Sequence, residues 1–105
     1  MKFTAFVEYH HEPERMARTR PAHRAYLQQL LQQGRLLLAG PFADGTGALF
    51  VYDVANEDEA AALAAEDPFA KASLFKQIVM KPWMLVFSNP LHLTPALRGI
   101  DTHEH

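Results

Sequence analysis

Two apolar runs, Leu36-Leu37-Leu38-Ala39 and Ala48 to Val54, separated by the turn signal Asp44-Gly45, constrain this chain more than any other feature. The shortest connection between them is a β-hairpin. Neither run alternates: Leu36 to Leu38 and Leu49 to Tyr52 are apolar throughout, so both strands are expected to be covered on both faces. A chain of 105 residues has room for one domain, since a domain takes about 100–200 residues. One layer of helices can cover only one face of a sheet. The second face then calls for another copy of the chain.

The elements around the hairpin give it a topology. Phe3, Ala5, Val7 and Tyr9 alternate with Thr4, Phe6 and Glu8, which predicts a first strand over Phe3–Tyr9. A polar joint follows from His10 to Arg20. Pro21 then fits the first position of a helix, where its missing N–H costs nothing, and Gly34 fits the stop after Gln33. Asn56, with Glu59 three residues on, predicts the start of a second helix through Ala60–Ala65. Asp67-Pro68 interrupts it, and a short segment from Phe69 to Leu74 leads to a long last strand, Phe75–Phe87, in which Pro82 implies an edge position or a bulge. The order β-α-β-β-α-β is the split βαβ, or ferredoxin-like, α+β arrangement: an antiparallel sheet with both helices on one face. Its open face predicts a homodimer packed sheet against sheet. One domain is expected over residues 1–88, with a tail over 89–105 on the surface or on a neighbour.

Composition narrows the function. Ten Lys plus Arg against twelve Asp plus Glu provide no broad basic footprint, so no nucleic-acid partner is expected. No stretch approaches the roughly 18–20 apolar residues of a membrane span, and no signal-like segment opens the chain, so a cytoplasmic protein without a membrane partner is expected. The absence of cysteine removes thiolate metal sites, iron–sulfur clusters and a cysteine nucleophile, leaving the chemistry to histidines, carboxylates and hydroxyls. No GxGxxG or GxxxxGK[ST] pattern supports nucleotide binding. His10-His11 and His103-Glu104-His105 lack a third ligand at a telling spacing, so neither a metal nor another cofactor is expected.

Among the remaining candidates His23 stands out. It lies four residues before Leu27 on the stripe Leu27, Leu30, Leu31, which puts an imidazole on or beside the buried face of its helix. Such a residue is either a core histidine satisfied by a backbone carbonyl or a general acid/base in a pocket. Asp67, at the end of a helix where the dipole disfavours a carboxylate, is either the side chain of an Asp-Pro turn or the group that orients His23. Arg20 can grip a carboxylate or phenolate with its planar fork, whereas Arg24 belongs to the solvated face. Tyr9 and Tyr26 either offer a hydroxyl to a substrate or serve as core aromatics with a bonded tip.

The segments Arg20-Pro21-Ala22-His23, Tyr26-Leu27, Gly34, Leu38-Ala39-Gly40-Pro41, Glu59-Ala60, Asp67-Pro68-Phe69 and Pro82-Trp83, in this order across roughly residues 1–87, resemble the YCII-related family. The resemblance implies a ferredoxin-like domain that dimerises into an α+β barrel, similar to muconolactone isomerase and antibiotic-monooxygenase relatives. It implies a His–Asp active site, carried here by His23 and Asp67, with Arg20, Gly40 and Phe69 lining or shaping the pocket. It also implies similarity to enzymes of aromatic-compound breakdown, including dehydrochlorination of hydroxylated rings. The reading that follows is a cofactor-independent lyase or isomerase acting on a small cyclic or phenolic metabolite. A non-catalytic small-ligand binding or accessory module, and a cofactor-free oxygenase, are the alternatives.

Overall fold

In a computed structural model, which describes residues 1–95, the chain forms β1 (Lys2–Tyr9), α1 (Pro13–Gln32), β2 (Leu36–Pro41), β3 (Gly47–Asp53), α2 (Glu57–Glu66), α3 (Pro68–Lys71) and β4 (Phe75–Trp83). The sheet has the strand order β2-β3-β1-β4, and every neighbouring pair is antiparallel. This is the ferredoxin-like α+β fold, with the order the sequence implies.

The core explains why the strands alternate as they do. Phe3, Ala5 and Val7 of β1, Ala48, Phe50 and Tyr52 of β3 and Leu36 of β2 point to one side and bury against Leu27 and Leu30 of α1 and Ala60, Leu63 and Ala64 of α2. Both helices therefore cover the same face. On the other face Phe6 stands opposite Leu49 on one side and Val79 on the other. There Phe6, Leu38 and Val79 are 45%, 38% and 38% exposed. Coverage on both faces is thus achieved within the chain by β3, where even Val51 on the far side is buried, but not by the edge strand β2, where Leu37 and Leu38 remain exposed.

Local chemistry sets the ends of the elements. Gly34, at φ +73°, closes α1 with a paired motif in which its N–H donates to the Leu31 carbonyl and the Arg35 N–H to the Leu30 carbonyl. The Asn56 side chain accepts from the Glu59 N–H at 2.9 Å and starts α2. Gly47 is required by its surroundings, because a Cβ there would stand 1.8 Å from the Val7 carbonyl oxygen.

Two boundaries differ from the sequence expectation. α1 begins at Pro13, eight residues before Pro21, which lies inside the helix. Pro13 takes the first-turn position that Pro21 was expected to fill, and the inward positions of the first two turns are Arg15, Met16, Thr19 and Arg20. That face is amphipathic by position but polar by composition, so it carries no apolar periodicity. β4 ends at Trp83 rather than Phe87, because Trp83 pairs with Lys2 at the start of β1, its one partner strand among the described residues. Pro82 accordingly lies in an edge strand. Residues 84–95 lie outside the sheet, with Met84, Val86 and Phe87 exposed and a 3-10 turn at Pro90–His92. The remainder of the tail, including His103-Glu104-His105, lies outside the described residues.

Candidate active site

α1 and the α2–α3 junction bring His23 and Asp67 together. His23, Leu27 and Leu30 form the buried stripe of α1. Asp67 ends α2 and caps α3, where its Oδ1 accepts the Phe69 N–H at 2.8 Å. The same oxygen accepts from His23 Nδ1 at 2.7 Å. Asp67 is therefore the side chain of an Asp-Pro turn and is also in contact with His23. The cap also resolves the apparent clash with the α2 dipole, because Asp67 serves the N-terminus of the next helix.

The pair is sealed from solvent. His23 is 0% and Asp67 1% exposed. Paired with a carboxylate oxygen that already accepts a backbone N–H, Nδ1 is the protonated ring nitrogen, which gives the imidazole a fixed tautomer and orientation. Phe69 stacks on the imidazole with centroids 3.9 Å apart and planes 7° from parallel, and Phe50 of β3 meets it edge-on at 6.1 Å. Asp67 Oδ2 is buried with no hydrogen-bond partner among the described residues. An unsatisfied carboxylate oxygen in such surroundings is costly, about 1–3 kcal/mol or more.

Phe69 is also part of the wall of a cleft of about 650 Å³, lined among others by Tyr9, Arg20, Pro41 and Thr46. The cleft lies where the end of β1, the start of α1 and the β2–β3 turn meet. Arg20, half-buried, reaches it from the part of α1 that sequence periodicity does not reveal, and among the described residues no carboxylate lies within ion-pair distance of it. The carboxylates nearby are engaged elsewhere. Glu12 accepts from Arg15, which holds it below the usual carboxylate range; Asp44 accepts from the Thr46 N–H and hydroxyl, with the same effect; Glu8 stands 3.6 Å from Lys76. His23 and Asp67 do not reach the cleft surface. The Gly40 position falls opposite Leu49 on the face away from the helices, and its neighbour Pro41 lines the cleft.

Tyr9 has a larger place at the site than sequence reasoning gives it. A register shift between Glu8 and Tyr9 sets Tyr9 opposite Phe75 instead of Lys76. Its ring stacks on Phe75 at 6.1 Å and meets Phe69 edge-on at 5.9 Å. Burial raises its phenol above the ordinary value, the Asp67 charge adds to that, and Arg20 works in the opposite direction. The strand alternation that places Tyr9 beside Phe3, Ala5 and Val7 was the available signal. Tyr26, by contrast, donates its hydroxyl to the Leu63 carbonyl at 2.7 Å, as a core aromatic with a bonded tip does. Among the described residues no three His, Asp or Glu side chains gather as metal ligands.

Fold and site together define a small ferredoxin-like α+β domain with a buried His–Asp pair behind the wall of a cleft. The chain belongs to the YCII-related domain family, whose model matches residues 1–84. Protein YciI of Escherichia coli is 34% identical over 84 residues, covering 70% of this chain and 86% of that protein. An uncharacterised protein of Haemophilus influenzae is 32% identical over 84 residues with the same coverage. Among solved structures, 5-chloro-2-hydroxyhydroquinone dehydrochlorinase from Burkholderia phenoliruptrix, in complex with 2,5-dihydroxybenzoquinone, superposes with a TM-score of 0.70 at 24% identity, over 80% of this chain and 94% of that one. The likeness is one of fold. No helix among the described residues is long and apolar enough to cross a membrane.

Proposed function

We propose that this protein is a cofactor-independent lyase or isomerase that binds a small cyclic or phenolic metabolite in the cleft walled by Tyr9, Arg20 and Phe69. His23 moves the proton. The observation that carries this reading is the buried His23 Nδ1–H to Asp67 Oδ1 hydrogen bond, 2.7 Å long, directly behind the cleft wall. The Asp67 carboxylate holds the tautomer that leaves proton acceptance to Nε2 and stabilises the imidazolium formed when the proton arrives. In an isomerisation the proton returns to a different atom of the substrate; in an elimination it is removed as a leaving group departs. Arg20 neutralises an anionic oxygen of the substrate. For the substrate to meet the imidazole the Phe69 ring must turn aside, and the adjoining cleft of about 650 Å³ has room for such a movement. Positioned proton transfer of this kind contributes about 10²–10⁴-fold. The dehydrochlorinase that shares the fold acts on a hydroxylated ring, which supports the choice of substrate class.

The test is turnover across a panel of phenolic, quinonoid and lactone substrates by the native protein and by folded His23→Ala and Asp67→Asn variants. Activity lost by at least 10²-fold in both supports the reading, and full activity in both ends it. One observation favours a second reading, a small-ligand binding or accessory module. A His–Asp pair with 0% and 1% exposure also serves as a tether between α1 and the α2–α3 junction. Ligand binding that survives both substitutions, with no turnover, selects that role.

The same reading includes a cytoplasmic homodimer packed through the face that exposes Phe6, Leu38 and Val79. Phe6→Glu should convert a species of twice 11.8 kDa into one of 11.8 kDa in light scattering. A native protein that already runs as the smaller species at micromolar concentration removes the dimer.

A further inference from the structure

We infer that the Tyr9 hydroxyl joins the Arg20 guanidinium in binding an anionic oxygen of the ligand, which makes Tyr9 a specificity-determining residue of the cleft. The inference rests on the reading of the cleft as a small-molecule site and extends it to a ligand class: planar rings bearing an ionised oxygen.

Four observations meet at this residue. The groups on the cleft surface do not include His23 or Asp67, which are buried behind Phe69. Tyr9 and Arg20 both line it. The Tyr9 ring is fixed on two sides, by Phe75 stacked on it and Phe69 meeting it edge-on, an arrangement that exists because the register shift exchanges Lys76 for Phe75. Among the described residues the Tyr9 hydroxyl has no hydrogen-bond partner, in contrast to Tyr26, whose hydroxyl is committed to the Leu63 carbonyl.

The chemistry follows from these positions. A phenol held in place without an internal acceptor is a donor prepared for an oxygen that arrives from the cleft. Its raised pKa keeps it protonated through neutral pH, so it donates and does not compete as an anion. Arg20 supplies the charge. Glu12 is paired with Arg15 and Glu8 with Lys76, while Asp44 accepts from Thr46, and among the described residues none of the three forms an ion pair with Arg20. A fixed neutral donor next to a cation selects an oxyanion over a neutral hydroxyl of the same shape.

The experiment compares two planar six-membered-ring probes, 2,5-dihydroxybenzoquinone, ionised at pH 7, and hydroquinone, which lacks two of its oxygens, is neutral at pH 7 and is kept anaerobic, by titration calorimetry on the native protein and Tyr9→Phe. Loss of a hydrogen bond to a charged oxygen should weaken the ionised probe by about 10- to 100-fold, with hydroquinone changed by less than about twofold. Equal binding of the ionised probe by both proteins overturns the role of Tyr9 and leaves the cleft reading standing. Failure of the native protein to bind either probe overturns the cleft reading and this inference with it. Should Tyr9→Phe not fold, the native protein labelled at tyrosine Cζ decides: the Tyr9 resonance shifts with 2,5-dihydroxybenzoquinone alone if the inference holds, and shifts with neither probe or with both if it does not.

Discussion

The two faces of the sheet are built from adjacent residues and have opposite fates. On β1, Ala5 and Val7 are buried beneath the helices, while Phe6 between them stands on the other side and is 45% exposed. On β3, Phe50 is completely buried against His23, whereas its neighbour Leu49 faces Phe6. The helix face carries the core, the His–Asp pair and the three tyrosines; the other face carries exposed apolar side chains. One strand thus divides its residues by its period of two, with the core and the His–Asp pair on one side and exposed apolar side chains on the other.

The largest effect should come from truncating matched aromatics on the two faces. Phe50→Ala should cost about 3–5 kcal/mol in urea unfolding, as large core truncations do. Phe6→Ala, one strand away and half out of the core, should cost less than about 1 kcal/mol for the chain itself. Equal costs would mean that the second face is as well packed as the first.

Next in size is the carboxylate. Asp67→Asn keeps the shape of the side chain but removes the charge that both the His23 and Phe69 N–H groups meet, and it buries an amide N–H₂ where Oδ2 has no partner. A loss of about 1.5–3 kcal/mol is expected from chemical denaturation. A loss near zero would mean that the pair contributes little to holding α1 against α3.

A smaller effect is expected from alkaline pH. Burial raises the phenols of Tyr9 and Tyr52 above their ordinary value of about 10, and Tyr26 is pushed up to about 12, with the Asp67 charge adding to each shift. A raised phenol means that the folded chain keeps protons which the unfolded chain gives up. The associated stability is complete below about pH 10 and is lost as pH rises through the folded values, for Tyr26 about 12. The denaturation midpoint should be level from pH 8 to about pH 9.5 and fall above about pH 10. A level midpoint through that range would show that the helix face admits water to its hydroxyls.

Legibility in the sequence divides along the same line. The succession of elements, the hairpin, the Asn56 cap and the place of His23 on the α1 stripe can all be read from periodicity and capping, because each depends on residues close together in the chain. The first two turns of α1 cannot, since Arg15, Met16, Thr19 and Arg20 occupy inward positions without an apolar signature. Contact between His23 and Asp67 depends on how the α2–α3 junction docks on α1, and the sequence left the Asp-Pro turn and a place beside His23 as alternatives, whereas one carboxylate oxygen occupies both. The sealing of the pair by Phe69 and the setting of Tyr9 depend on tertiary packing and on a one-residue register shift. Those are the features that local patterns do not encode.

Each outer edge of the sheet carries a proline near its end, Pro41 closing β2 and Pro82 one residue short of the end of β4. A proline has no N–H to offer an incoming strand, and the irregular register at Leu36–Leu38 further interrupts the β2 edge. Both rims of the sheet therefore offer an incoming strand an interrupted row of donors, which disfavours growth by strand addition.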